Sequence, residues 1–219
     1  MLRRDQIKID LKKNKTQYKG KSILVTGAAG SIGSEIVRQL LRFDPAKIIL
    51  FDQAETPLFN LKNELNRNGS KAELQYYLQS ITERSSLEQC FHNHSIDIVF
   101  HAAAYKHVFM TEAIPKAAIN NNILGTKNVV DVALENKVPY LVIVSTDKAV
   151  NPSNVMGASK RIAEIYVAGK AENTSTQVIT TRFGNVLGSN GSVVPIFKEQ
   201  IAKGGPVTVT HPEITRYFM

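Results

Sequence analysis

Val25-Thr26-Gly27-Ala28-Ala29-Gly30-Ser31-Ile32-Gly33 is the stretch on which the reading of this 219-residue chain turns. Ser22–Thr26 (SILVT) is an apolar run short enough for a buried strand. Ile32, Ile36, Val37, Leu40 and Leu41 follow at helical spacing. The glycines therefore fall where a strand turns into a helix. There Gly27 permits a tight turn, Gly30 lets the backbone approach a pyrophosphate, and Gly33 lets helix and strand pack closely. The helix N-terminus offers N–H groups and a partial positive charge to the phosphates. The spacing G-x-x-G-x-x-G departs from the commoner G-x-G-x-x-G, so its context carries the weight. That context includes Asp52, 25 residues beyond Gly27 and at the end of the next apolar run, placed for the adenosine ribose hydroxyls. No arginine follows Asp52 closely, which favours NAD and leaves NADP open.

The same alternation continues along the chain. Lys47–Phe51, Leu74–Leu78, Asp97–Ala102, Tyr140–Ser145 and Gln177–Thr181 read as further strands. Helical patterns separate them, among them a segment with Thr56 as N-cap and Pro57 at the first position, a long helix over Pro115–Leu134, and one over Ser159–Lys170. Strands apolar on both faces and separated by helices predict an α/β fold, a Rossmann-like doubly wound parallel sheet with helices on both faces. Residues 22–219 form that domain and residues 1–21 a basic N-terminal linker.

Composition narrows the function classes. Hydrophobic content of 43% and charged content of 21% are those of an ordinary globular chain. No apolar run reaches the roughly 20 residues that span a bilayer. Cys90 is the sole cysteine, which excludes an internal disulfide and fits a reducing, cytoplasmic setting. Residues 1–22 carry +6 of the formal net charge of +8, so the remainder is nearly neutral and nucleic acid is not an expected partner. Cys90-x-His92-x-His94 has metal-like spacing but no fourth ligand nearby, and no metal is expected.

Ser145-Thr146-Asp147-Lys148 follows the fifth strand, at the sheet edge where doubly wound folds hold ligands. A hydroxyl, a carboxylate and an amine together offer a hydrogen-bond donor, a general acid and a general base. Ser, Thr and Asp also end strands in ordinary turns, so these residues alone leave a structural turn open. Met156 and Lys160 lie four apart, on one helical face.

With these residues the chain resembles an extended short-chain dehydrogenase/reductase, whose signature is Tyr-x-x-x-Lys preceded by Ser or Thr. More narrowly it resembles the polysaccharide-biosynthesis branch of 4,6-dehydratases acting on UDP-N-acetylhexosamines. The matching segments are Thr26–Leu40 (TGAAGSIGSEIVRQL), His101–Val108 (HAAAYKHV), Asn121–Thr126 (NNILGT), Ser145–Arg161 (STDKAVNPSNVMGASKR), Arg182–Phe197 (RFGNVLGSNGSVVPIF) and Gly204–Phe218 (GGPVTVTHPEITRYF). Met156 in place of the tyrosine is itself a feature of the larger members of that branch.

The resemblance implies a recycled NAD(P) that takes a hydride from sugar C4, after which water leaves across C5–C6 and the hydride returns to C6. Thr146 would hydrogen-bond the C4 oxygen, Asp147 would protonate the departing hydroxyl, Lys148 would remove the C5 proton, and Lys160 would bind the nicotinamide ribose. A thioether has no proton to exchange, so Met156 cannot act as the tyrosine does, and Asp147, Lys148 or a water must deprotonate the C4 hydroxyl. Cofactor contacts would come from Gly27, Ala29, Gly30, Ser31, Ile32, Gly33, Asp52, Gln53, Ser80, Ile81, His101, Ala102, Ala103, Ala104 and Lys160. Asn122 would serve that site by bracing the active-site helix, and Tyr105 would face cofactor or substrate. Lys106, His107, Asn185, Ser192, Val193 and Arg216 would contact the UDP-sugar, the guanidinium suiting a diphosphate. Phe109 departs from the family's usual proline, which loosens the transfer over 105–112.

Relatives also imply a homo-oligomer, a linker to a membrane-attached part before residue 22 at the cytoplasmic membrane face, and further substrate-binding structure beyond residue 219. Two other functions fit the same pattern: a UDP-sugar 4-epimerase on this scaffold, and a non-catalytic NAD-binding module.

Overall fold

Each run identified above forms a strand; the four inner ones are largely buried, while the two at the sheet edges, Glu73–Leu78 and Gln177–Phe183, are only partly covered. The computed structural model describes residues 11–189, 191–209, 213 and 218. Strands β1 (Ser22–Thr26), β2 (Lys47–Asp52), β3 (Glu73–Leu78), β4 (Ile98–His101), β5 (Tyr140–Thr146) and β6 (Gln177–Phe183) pair in the order β3-β2-β1-β4-β5-β6. Every pairing is parallel. Winding reverses between β1 and β4, whose ends are in register at Thr26 and His101. That reversal opens a crevice at the carboxyl edge of the sheet.

Alternation along the strands splits the core in two. Ile23, Val25, Ile48 and Leu50 face α2 (Ser31–Leu41) and α3 (Glu55–Asn68), meeting Val37, Leu40, Leu58, Leu61 and Leu65. Leu24, Ile49, Val99, Leu141 and Ile143 face the opposite way. They pack with Leu87 and Cys90 of α4 (Arg84–Asn93), Val129–Ala133 of α7 (Thr126–Glu135) and Val167 of α8 (Val155–Ala171). Each such side chain, fully withdrawn from water, contributes about 1.5–3 kcal/mol. Toward β6 the α2 face is open, and Phe100, Phe183, Val186 and Leu187 line a groove of about 610 Å³ with Ile36 and Phe43. Helix α9 (Val193–Ala202) buries none of its residues. Among the described residues, no helix is long and apolar enough to cross a membrane.

Three expectations shift. Helix α3 begins at Glu55 and not after Thr56, because the Ala54 carbonyl already accepts the Leu58 N–H. The Thr56 hydroxyl turns to Glu55 instead. The long helix over Pro115–Leu134 is present in three parts: α6 (Pro115–Ala118), a π-helical segment Ile119–Gly125, and α7. Between β4 and α6 lies a short helix α5 (Val108–Ala113). Residues Leu11–Tyr18 of the expected linker form helix α1, and the Tyr18 ring lies tilted with its centre 5.5 Å from that of Phe43 and 6.4 Å from that of Phe100. Residues 1–10 of that linker lie outside the described residues.

Gly33 is where helix and turn meet most closely, since a Cβ there would stand 2.0 Å from the Gly27 carbonyl oxygen. Gly33→Ala is expected to cost about 3 kcal/mol, the upper end for overpacking. Gly169→Ala, on α8 with nothing within 4 Å of its Cβ, is expected to gain about 0.5–1 kcal/mol. Urea unfolding followed by circular dichroism ranks the two, and equal midpoints would remove the crowding argument.

Candidate active site

The turn after β1 is shaped by backbone. Gly27 has φ +66°, and a Cβ on it would lie 2.5 Å from the Ala103 nitrogen. The turn and the segment after β4 therefore touch, and only glycine fits between them. Ala102, Ala103 and Ala104 are half-buried along that contact. Gly30 precedes α2 and no side chain caps the helix, whose first turn holds Ser31, Ile32 and Gly33. Asp52 ends β2 with both oxygens engaged: one accepts from Ala29 N at 2.9 Å, the other from Ala54 N at 2.9 Å. The carboxylate thus ties the glycine turn to the start of α3. This cradle, free of side-chain bulk at Gly27 and Gly33 and with an anchored acid beside it, fits a dinucleotide.

His101 departs from its expected place along a cofactor. It is fully buried, with Nδ1 2.7 Å from the Thr26 hydroxyl and Nε2 2.9 Å from the Thr126 hydroxyl. Burial, then the nearby Lys160 charge, lowers its pKa to about 3, so it stays neutral. A neutral ring donates through one nitrogen and accepts at the other, which satisfies both threonines and leaves no atom for a ligand. Asn122 sits in the π-helical segment, also fully buried. Its Oδ1 accepts from Tyr105 N at 2.8 Å, while its Nδ2 donates to Tyr105 O at 3.0 Å and to Ser159 Oγ at 2.9 Å. It thereby joins the loop after β4 to α8.

Thr146 closes β5, and Asp147–Ala149 forms one 3-10 turn. The Thr146 hydroxyl donates to Asp147 Oδ1 at 2.9 Å, and the Lys148 ammonium donates to the same oxygen at 3.0 Å. Burial works to raise the Asp147 carboxyl, but the hydrogen bonds from Lys148 and Thr146 outweigh it and hold the group below its ordinary range. It is ionised near neutral pH. Helix α8 starts behind this turn, with Asn154 Oδ1 accepting from Gly157 N at 2.8 Å. A Cβ on Gly157 would stand 2.4 Å from the Lys148 carbonyl oxygen. Met156 and Lys160 are both buried on this helix, and Lys160 Nζ donates to the Val144 carbonyl at 2.8 Å. Burial lowers the Lys160 pKa to about 8, with Glu164 opposing. Glu164 itself is held at about 2, chiefly by the Arg182 fork at 2.6 and 2.9 Å, which anchors α8 to β6.

The other expected contacts are more dispersed. Gln53 is exposed and donates to the Tyr105 hydroxyl at 3.1 Å. Ser80 pairs with Thr82, and Ile81 is buried against Gly125. Lys106 and His107 are exposed; burial of part of the Lys106 side chain lowers its pKa, and the His107 ring rests against Gly191. Asn185 bridges to Phe218, and Ser192 and Val193 start α9. Arg216 lies outside the described residues. His94 pairs with the Tyr77 hydroxyl at 2.9 Å, and no potential metal cluster occurs among the described residues.

Thr26, Thr126, Asn154, Gly157 and Ser159 serve this site without having been singled out in the sequence. Each lies in a stretch quoted above, Thr26 in the glycine stretch, Thr126 in Asn121–Thr126, and Asn154, Gly157 and Ser159 in Ser145–Arg161, but residue order assigned none of them a role.

The polysaccharide biosynthesis protein family matches residues 23–219. The capsular polysaccharide biosynthesis protein CapD of Staphylococcus aureus is 50% identical over 221 aligned positions, covering all of this chain and 37% of its own length. A UDP-glucose 4-epimerase of Rickettsia canadensis is 38% identical over 206 positions, covering 91% of this chain and 59% of its own. The solved structure of Pen from Bacillus thuringiensis matches with a TM-score of 0.86 at 34% identity, over 92% of this chain and 62% of its own. The chain thus spans 37–62% of the length of these three proteins.

The buried Lys160 couples stability to pH. Its folded pKa of about 8 lies below the ordinary 10.5, so the ammonium is a full penalty on folding below pH 8. Between the two values the unfolded chain binds more protons, and stability rises with pH, by at most about 3 kcal/mol. Lys160→Met is expected to lack that rise. Urea midpoints at about pH 7.5 and 9.5, chosen to straddle the folded pKa, check it; equal slopes in both proteins would refute a buried ammonium.

Proposed function

The chain belongs to the polysaccharide biosynthesis protein family, and on that premise we propose that it binds NAD, with NADP as the lesser ligand, and 4,6-dehydrates a UDP-N-acetylhexosamine, first among them UDP-N-acetylglucosamine. The observation that carries the reading is the cluster of Thr146, Asp147 and Lys148, hydrogen-bonded through one carboxylate oxygen at the carboxyl edge of the sheet. An epimerase has no use for an acid at sugar C6.

The glycine turn, Asp52 and Lys160 would hold the dinucleotide. When bound, the nicotinamide supplies reversible hydride acceptance at sugar C4 and hydride return at C6. Proton handling belongs to the chain itself. Because Met156 has no exchangeable proton, the C4 hydroxyl must lose its proton elsewhere. The Thr146 hydroxyl already donates to an ionised Asp147, which forms a relay from sugar oxygen to carboxylate. Asp147, once protonated this way, holds the proton that the C6 hydroxyl needs to leave as water. Lys148, 3.0 Å from Asp147 and partly exposed, takes the C5 proton as the free amine, its own proton having gone to solvent, and returns it to C5 when the hydride reaches C6. One proton released at C4 is thus spent at C6, and no tyrosine is required.

A 4-epimerase is the second reading, favoured by the 38% identity to the Rickettsia enzyme named as one. The same proposal has copies of the chain pair through the helices between residues 115 and 170, where Ile119, Leu124, Ile162 and Ile165 are exposed.

Incubation with UDP-N-acetylglucosamine separates the readings by product mass. Loss of one water supports dehydration, and an isobaric epimer supports epimerisation. No turnover despite bound NAD supports a non-catalytic module. In deuterated water Lys148→Ala is expected to slow isotope entry at C5 by about 100-fold or more; entry at the native rate would sink the role given to Lys148. Asp147→Asn should keep cofactor binding and lose turnover by a similar factor, about 100-fold.

A further inference from the structure

Gln53 and Tyr105 rise from opposite walls of the glycine turn. Gln53 follows the carboxyl end of β2, Tyr105 follows that of β4, and β1 with its glycine turn lies between those strands. Two strand spacings, about 10 Å, separate the walls. Yet the side chains meet, with Gln53 Nε2 donating to the Tyr105 hydroxyl at 3.1 Å.

Both ends of this bridge stand on fixed backbone. Tyr105 N and O are both held by the buried Asn122 amide. Gln53 lies between Asp52 and Ala54, which are tied to each other and to Ala29 through the Asp52 carboxylate. The side chains themselves are exposed, Tyr105 at 42%. The bridge can therefore open by side-chain rotation alone, with no movement of the strands or of the glycine turn.

We propose that Gln53 and Tyr105 form a clasp across the dinucleotide groove that slows release of the bound cofactor. The inference rests on the nicotinamide reading above. A single neutral hydrogen bond in water is weak, so the open state is populated and a dinucleotide can enter. With the groove filled, the Tyr105 ring has a surface to cover, and closure is reinforced by burial of that ring face. Retention suits a reaction in which the hydride taken from a sugar returns to the same sugar, since the carrier need not leave between turnovers. The clasp residues are positioning residues and transfer no proton.

The test loads the full chain with NADH, chases with excess NAD, and follows release by nicotinamide fluorescence. Tyr105→Phe and Gln53→Ala, each removing the hydrogen bond, are expected to speed release about threefold. The double variant should release no faster than either single one, because both remove the same bond. Tyr105→Ala, which also removes the ring, should release about tenfold faster. Association rates should stay within about twofold of native, and unchanged unfolding midpoints show that the exposed substitutions leave the fold intact. Native release rates in all variants would overturn the clasp and leave the nicotinamide reading standing. Faster association with unchanged release would also overturn it, by making the pair a plug that obstructs the groove. Failure of the native chain to bind NADH or NAD would overturn the nicotinamide reading and the clasp together.

Discussion

A helix lying against the carbonyl of the turn before it is the contact on which this structure depends, and it occurs twice. Gly33 of α2 meets the Gly27 carbonyl, and Gly157 of α8 meets the Lys148 carbonyl; a Cβ would lie 2.0 Å and 2.4 Å from the respective oxygens. No methyl group fits at either distance. The first contact sets the N-terminus of α2 beside the dinucleotide cradle. The second sets Met156 and Lys160 directly behind the Thr146–Lys148 turn. Displacing either helix by an ångström would undo the arrangement of the candidate site.

Around these contacts two fully buried side chains, His101 and Asn122, are each joined to their neighbours through every ring nitrogen or amide atom. His101 links Thr26, at the end of β1, to Thr126, at the start of α7, and its neutrality lets one ring serve both hydroxyls. Asn122 uses donors and acceptor alike on Tyr105 and Ser159. Networks with every member satisfied hold one arrangement firmly, because any alternative leaves a buried group without a partner. The elements that carry the glycine turn, the loop after β4 and α8 are thereby bolted together beneath the sheet edge.

Charge is distributed with the same economy. Asp147 is kept ionised by Lys148 and Thr146, whereas Lys160 is brought toward neutrality by burial. A carboxylate held in its charged form and an ammonium whose charge burial disfavours thus occupy the two sides of a single turn–helix junction. Both groups are shifted down, Asp147 by hydrogen bonds to its charged form and Lys160 by burial of its ammonium.

The parallel sheet and the glycine turn were legible from residue order, since buried strands, helical spacing and glycine spacing are local patterns. So was the line from Thr146 to Lys160, through residue types at short separations. What local pattern could not reveal is which groups find each other across the sheet. His101 looked like a cofactor contact, but threonines 75 and 25 residues away claim both its nitrogens. The π-helical turn that aims Asn122 depends on Gly125 meeting Ile81, and Tyr105 reaches Gln53 across 52 residues of chain. Residue order alone determined the fold class, the glycine turn and the residue types gathered in the candidate site. Tertiary structure alone decided which polar groups are consumed in holding the site and which remain to work in it, because a buried donor or acceptor is committed by its neighbours in space, wherever they stand in the chain.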